Sequence, residues 1–293
     1  MTAIINGLLG GLRVGSIYAL IALGYTLVYG IIRLINFAHG EVIMIGAFTS
    51  YLVAKLLGAS AWTLVIAVIA AMVVCAIVAV LIEFIAYRPL RKKGSASIIT
   101  IITAIAMSYL LYSIFNFVQI KGLNLAVLNF PVWFTQSTAS QVLITLGLTA
   151  VAVILLTWFV NKTKMGTAMR AVSENMMAAR LMGINVDTVV SVTFAIGAAL
   201  AGIGAIAYGF SVPTFDWSLG TVIGIVPFAA AVVGGIGSLP GAVVGGYIIG
   251  FVEQLIMVTP LSSYKDAFVY GILIIILLFK PEGLLGKNVS EKV

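Results

Sequence analysis

The 293-residue chain is poor in charged residues. Asp, Glu, Lys and Arg together make up 9% of it, against about 25% in a soluble domain. Hydrophobic residues make up 62%, and the mean hydropathy is +1.21. A soluble fold covers its surface with polar side chains, and this sequence has too few of them. The composition therefore excludes a soluble enzyme, a nucleic-acid-binding protein and a disordered segment, and it predicts an integral membrane protein.

Several chemical motifs are missing as well. A single cysteine, Cys75, excludes an intrachain disulfide, and a single histidine, His39, excludes a His-rich metal site. The sequence has no G-x-x-x-x-G-K-[ST] motif, so it lacks a P-loop for ATP. It also has no H-E-x-x-H or G-x-S-x-G motif, which leaves an intramembrane enzyme unsupported. We therefore expect no enzymatic activity, no cofactor and no metal in this chain.

Charge-free stretches long enough to cross a bilayer core of about 30 Å recur along the sequence. Residues 220–252 are too long for one crossing and are split at the Gly-rich break 237–241. The segment Val42–Ala54 is short, which predicts a tilted span or a broken, re-entrant element. The clear spans are Val14–Ile32, Ala61–Ile82, Ser97–Ile120, Gln141–Val160, Thr188–Phe210, Gly220–Ile236, Ala242–Val258 and Ala267–Phe279.

These stretches predict an all-α fold: a polytopic membrane helix bundle of eight or nine spans with at least one broken or re-entrant element. No water-soluble domain separates them, so residues 1–293 form one domain. No small-residue cleavage site follows the apolar start, so we expect the first run to be kept as a span. Basic residues concentrate in 88–93, 162–180 and 280–292, which the positive-inside rule places in the cytoplasm together with the C-terminus. The net charge of +7 is thus a topology signal, not a sign of a nucleic-acid partner.

The longest cytoplasmic segment, about 161–187, contains a predicted short helix. Ser173 is a suitable N-cap, Glu174 would lie in the first turn, and Gly183 would follow the last turn. One face carries an apolar stripe, formed by Met177, Ala178, Leu181 and Ile184. This helix either lies back on its own spans or docks into a groove of a soluble partner.

Polar residues at the edges of apolar runs are the other candidates. Asn36, His39 and Glu41 lie close together where the first long run ends. They either anchor and satisfy a helix break or line a pathway. Glu253 follows a long uncharged run and lies either inside a span or at a helix end.

The residues from Gly15 to Leu20 and from Arg33 to Glu41 resemble the LivH-type permease subunit of bacterial branched-chain amino acid ABC importers. The segments 88–91, 166–184 and 234–246 agree with that resemblance. The chain departs from the family at Met176, where proline is frequent.

The resemblance implies an ATP-driven importer in the bacterial plasma membrane that carries Leu, Ile or Val. The implied partners are a second, related permease, two ATPase subunits that bind the ATP, and an extracytoplasmic solute-binding protein. Urea, short amides or other amino acids remain alternative solutes, and a self-sufficient channel or ion-coupled carrier remains an alternative class. The expected ATPase-docking residues are Ser173, Glu174, Asn175, Met177, Ala178, Leu181, Gly183 and Ile184. The expected path residues are Asn36, His39, Glu41, Gly235 and Gly237.

Overall fold

The computed structural model describes residues 2–123, 127–133 and 138–286. Two π-helical segments, Glu83–Tyr87 and Val118–Leu123, continue α3 and α5. Two short strands, β1 (Leu128–Asn129) and β2 (Thr214–Phe215), pair antiparallel. The α-helices are α1 (Thr2–Ile32), α2 (His39–Leu57), α3 (Ala61–Ile82), α4 (Arg88–Lys92), α5 (Ser97–Phe117), α6 (Thr138–Lys162), α7 (Lys164–Glu174), α8 (Met176–Leu181), α9 (Val186–Gly209), α10 (Leu219–Gly234), α11 (Leu239–Met257) and α12 (Lys265–Phe279).

The predicted all-α membrane bundle is confirmed. Among the described residues, eight helices are long and apolar enough to cross a membrane, and α10 is a shorter apolar helix beside them. Large apolar side chains on α3, α5, α6 and α12 are exposed, as expected for surfaces that face lipid tails. The helices α1, α2, α9, α10 and α11 supply most of the buried core.

The predicted start of the first span at Val14 is wrong, because α1 begins at Thr2. Arg13 lies inside the helix, where its guanidinium donates a hydrogen bond to the Gln141 side chain of α6. Three residues further on, the Ser16 carbonyl accepts a 3.0 Å hydrogen bond from Thr149 of α6. The cation thus has a hydrogen-bond partner within the bundle and does not interrupt the helix.

Small residues let α1 and α11 pack backbone to backbone. A Cβ atom added at Gly250 would collide with the backbone of Gly15, and one added at Gly246 would collide with Ala19. The glycine spacing in the sequence therefore reflects helix packing, which is its usual role in membrane bundles.

The basic segments gather at one end of the bundle, here called the basic end. Arg91 and Lys92 form ion pairs with Asp187, at 2.7 and 3.2 Å. The C-terminal segment joins the same end, because the Leu284 and Leu285 amides donate to the last carbonyls of α10 at 2.9 Å. The two strands cap the other end, here called the strand end.

Candidate functional site

The chain breaks between α1 and α2 in a turn held by Asn36. The backbone at Arg33 is left-handed, with φ 52°, and ends α1. The Asn36 side-chain oxygen accepts hydrogen bonds from the Ala38 amide at 3.2 Å and from the Tyr87 hydroxyl at 2.8 Å. Asn36 is buried and holds the break together, and it lines neither of the two cavities described below.

His39 starts α2 well inside the bundle. Its ring lies against the Tyr25 ring, with centroids 4.4 Å apart, and it fills the space that a side chain at Gly24 would occupy. Gly24 precedes the last residue of α1, Ile32, by eight positions, which corresponds to roughly 12 Å of helix. The segment 33–38 therefore turns back into the bundle. Of the two alternatives for this region, the structure agrees with the short span, because α2 is one continuous apolar helix long enough to cross a membrane.

Glu41, in the first turn of α2, reaches across to two other helices. Its Oε1 accepts hydrogen bonds from Ser108 of α5 and Thr221 of α10, both at 3.3 Å. Its Oε2 has no hydrogen-bond partner among the described residues, although the side chain is buried. The carboxylate packs on Gly220, where no side chain would fit. A negative charge beside the first turns of α2 and α10 is favoured by both helix dipoles.

A cavity of about 470 Å³ lies beside this carboxylate, between α1, α2, α5 and α10. We call it the Glu41 cavity. Its walls are mostly apolar and aromatic, and they include Tyr25, Phe37, Tyr112 and Phe228. A mainly apolar cavity with a few polar groups is the usual form of a small-molecule site.

A second cavity of about 530 Å³, here called the Glu253 cavity, lies towards the strand end between α1, α10, α11 and α12. Glu253 is buried in α11, and its Oε1 lies 2.6 Å from Nζ of Lys265. Its Oε2 accepts a 2.5 Å hydrogen bond from the Tyr18 hydroxyl. Glu253 lies in the apolar helix Leu239–Met257 and close to its end, four residues before Met257.

The predicted docking segment forms two helices, α7 and α8, rather than one. The expected N-cap at Ser173 is wrong: Ser173 lies in the last turn of α7 and donates to the Arg170 carbonyl. Glu174 likewise ends α7 and does not begin the next helix. Asn175 caps α8 instead, since its side chain accepts hydrogen bonds from the Met177 and Ala178 amides at 3.0 and 2.9 Å. Both Ser and Asn favour N-caps, and the extended backbone at Asn175 decides between them.

The end of α8 agrees with the prediction. Gly183 has φ 83°, and its amide donates to the Arg180 carbonyl while the Ile184 amide donates to the Ala179 carbonyl. This pair of hydrogen bonds is a Schellman motif, in which a glycine takes the left-handed position.

The apolar stripe of α8 faces outward only in part. Met177 and Leu181 are 75% and 85% exposed, and Met182, which the sequence reasoning omitted, is 83% exposed. Ala178 is exposed beside them. Ile184 instead packs against the core. The basic end thus carries an accessible apolar face.

Gly235 and Gly237 form the turn between α10 and α11, with φ 104° and 95°. The C-terminal segment covers Gly235, where a side chain would collide with Gly286, and Gly237 lies close to Gly30. Neither glycine lines the two cavities, so their assignment to a path stays a prediction.

Sequence reasoning missed Ser108 and Thr221, the two hydroxyl groups that bind Glu41. Each is a single small polar residue in a long apolar run, and no local signal separates it from the many Ser and Thr that bond their own helix backbone.

Comparisons with known proteins agree over nearly the whole chain. A family model described as "Branched-chain amino acid transport system / permease component" matches residues 7–277. The high-affinity branched-chain amino acid transport system permease protein LivH of Escherichia coli is 39% identical, over 97% of this chain and 96% of that protein. BraD of Pseudomonas aeruginosa, with the same description, is 40% identical over 98% and 97%. The probable LivH of Methanocaldococcus jannaschii is 32% identical over 94% and 91%.

The match extends from the α1–α2 break through the α10–α11 turn, and it includes both cavities and the exposed helix α8. The chain therefore belongs to the family of branched-chain amino acid transport system permease components.

Proposed function

We propose that this chain is a permease subunit of an ATP-driven importer of branched-chain amino acids in the bacterial plasma membrane. The observation that carries the proposal is the exposed apolar face of α8, formed by Met177, Leu181 and Met182 at the basic end. A short helix outside the bilayer with such a face needs a partner to cover it, and an apolar helix face docks well into a groove.

The basic end faces the cytoplasm in this proposal, because Lys and Arg are retained on that side. The C-terminus then lies in the cytoplasm as well, since the segment 280–286 packs on the end of α10. The strand end, with the Glu253 cavity, faces outward.

Energy enters through partner subunits. Two ATPase subunits bind the ATP and dock on α8, so this chain needs no cofactor of its own. The position of α8 supports this role, because α7 and α9 flank it directly and both pack with α1 in the bundle. A displacement of α8 therefore reaches the central helices. The bundle would alternate between outward-open and inward-open states, and each partner biases that equilibrium through its different affinity for the two states.

A second, related permease would complete the path, and an extracytoplasmic solute-binding protein would deliver the solute. The walls of the Glu41 cavity support an amino acid with an apolar side chain as the solute. Aromatic rings surround the space, and the Glu41 carboxylate in its wall suits an ammonium group. Urea or a short amide would leave that charge without a counterion.

Purification of the tagged chain in mild detergent, followed by reconstitution into liposomes, tests the proposal. We expect a second permease and ATP-hydrolysing subunits to co-purify, and we expect leucine uptake that requires both ATP and the solute-binding protein. The isolated chain should carry no flux. Solute flux through the chain alone, without ATP, would contradict the proposal and support a channel or an ion-coupled carrier.

A further inference from the structure

The charges that line the Glu253 cavity balance. Among the described residues, its walls carry two cationic side chains and two carboxylates: Arg13, Lys265, Glu253 and Asp266. A cavity with a net charge would favour a simple anion or cation. This one favours a ligand that carries both charges and no net charge.

The central ion pair can be exchanged for a ligand of that kind. Glu253 is 5% exposed, and its carboxylate contacts the Lys265 ammonium at 2.6 Å. Removing Lys265 would leave the buried Glu253 carboxylate without its counterion, at a cost in free energy. A zwitterion avoids this cost, because its carboxylate can pair with Lys265 while its ammonium pairs with Glu253. One ion pair becomes two, and no charge is left alone.

Two further polar atoms of residues in the cavity walls have no partner in the described part of the chain. Nε of Arg13 and Oγ of Ser211 are buried and have no hydrogen-bond partner among the described residues. Both residues line the Glu253 cavity. Buried polar atoms are rarely left unsatisfied, so a small rearrangement of these walls around a bound molecule would give both atoms a partner.

The remaining residues in the walls of the Glu253 cavity indicate what kind of side chain its ligand carries. Val14, Ile17, Ile223 and Val226 supply an apolar surface. It lies in the same cavity as the four charges, which is the arrangement that an α-amino acid with an aliphatic side chain requires.

We propose that the Glu253 cavity is an entry site that binds zwitterionic aliphatic amino acids, with Lys265 on the carboxylate and Glu253 on the ammonium. This inference rests on the proposed function, since it concerns the solute that the importer carries. The cavity also adjoins the Glu41 cavity, because Thr221, Val222 and Ile225 of α10 line both. An amino acid that leaves the entry site therefore moves along α10 towards Glu41.

Equilibrium binding of radiolabelled leucine to the purified complex, without the solute-binding protein, tests the site. Unlabelled leucine should compete, whereas leucinamide, which lacks the carboxylate, and 4-methylpentanoate, which lacks the ammonium, should each compete at least tenfold more weakly. Equal competition by either analogue would overturn the proposal, and so would a complex that binds no leucine while still importing it.

A double variant locates that binding. Glu253→Gln with Lys265→Met removes both charges and leaves neither unpaired, and we expect at least a tenfold loss of leucine binding with co-purification of the partner subunits retained. Lys265→Arg keeps the positive charge and should retain leucine binding.

The matched control for the double variant is Lys55→Met, which removes a cation at the end of α2 outside both cavities. Unchanged binding in the double variant would overturn the assignment. If the double variant does not assemble, Glu253→Gln alone takes its place, because the remaining Lys265 side chain is 36% exposed to solvent, and unchanged leucine binding there would equally overturn the assignment.

The two proposals fail in different ways. A complex that imports no amino acid at all would contradict the proposed function. A complex that imports leucine with ATP but treats leucine and its singly charged analogues alike would contradict the entry site alone.

Discussion

Glu41 and Glu253 are buried carboxylates in the walls of neighbouring cavities, but their surroundings differ. Glu253 contacts the Lys265 ammonium and the Tyr18 hydroxyl. Glu41 contacts two hydroxyl groups at a longer 3.3 Å and keeps one oxygen without a partner among the described residues. The Glu253 cavity thus offers groups for both ends of an amino acid, whereas the Glu41 cavity offers a group for its ammonium only. In our proposal the solute binds first in the Glu253 cavity and moves from there towards Glu41.

The largest effect should come from displacing α10, the wall that both cavities share. A side chain at Gly245 would collide with the backbone of Ala230 and Gly234. Gly245→Leu should therefore prevent correct packing of α10 on α11, and we expect loss of most of the assembled protein in size-exclusion chromatography. Gly147→Leu is the matched control, because a Cβ there meets no atom within 4 Å. Normal assembly of the Gly245 variant would mean that this face of α11 does not pack on α10.

Removing the Lys265 charge, alone or together with that of Glu253, tests whether Glu253 depends on a counterion, which Glu41 does not have among the described residues. Lys265→Met leaves the Glu253 carboxylate buried without its counterion. Because Lys265 is 36% exposed and water screens the pair, we expect destabilisation of about 1–2 kcal/mol. The double variant with Glu253→Gln should recover much of that loss, because no charge remains unpaired. Thermal unfolding in detergent measures both. Equal stability of the single and double variants would show that the ion pair is solvated and would weaken the contrast.

Glu41→Gln should behave in the opposite way. The amide oxygen can still accept from Ser108 and Thr221, and no counterion is left behind, so stability should change by less than about 1 kcal/mol. Leucine uptake by the reconstituted complex should nevertheless fall about tenfold, because the ammonium loses its charged partner. Unchanged uptake would place the path away from Glu41.

Ser108→Ala should have the smallest effect. It removes one long hydrogen bond of 3.3 Å to Glu41 and keeps the carboxylate charge, so we expect uptake to fall by less than about threefold. A change as large as that of the Glu41 variant would mean that Ser108 itself contacts the solute.

The spans could be read from the sequence because charge-free length alone defines them, and Ala61–Ile82 is one whose predicted bounds match its helix. The start of α1 could not be predicted from the sequence, because the hydrogen bond between Arg13 and Gln141 joins residues that are distant in the chain.

The residues of the two candidate sites were subject to the same limit. Glu41 stands out as part of a polar cluster and Glu253 as an isolated acid. Lys265, Ser108 and Thr221 acquire a role only when the helices bring them to those acids.

The start of α8 could not be predicted from local sequence preferences alone. Ser173 and Asn175 are both suitable N-caps two residues apart, and the backbone turn between α7 and α8 selects Asn175. The end of α8 could be predicted, because the left-handed backbone position after its last turn strongly favours glycine, and Gly183 occupies that position.

The central claim is that partner ATPases drive this bundle through α8, and coupled measurement of ATP hydrolysis and leucine uptake in Leu181→Asp tests it most directly. The substitution puts a charge on a side chain that is 85% exposed, so the fold should persist. Thr188→Asp is the control, because an acidic residue is tolerated in the first turn of α9. We predict that Leu181→Asp inserts normally but loses at least 90% of ATP-dependent uptake, while the control keeps it. Full uptake with normal coupling in Leu181→Asp would contradict the claim.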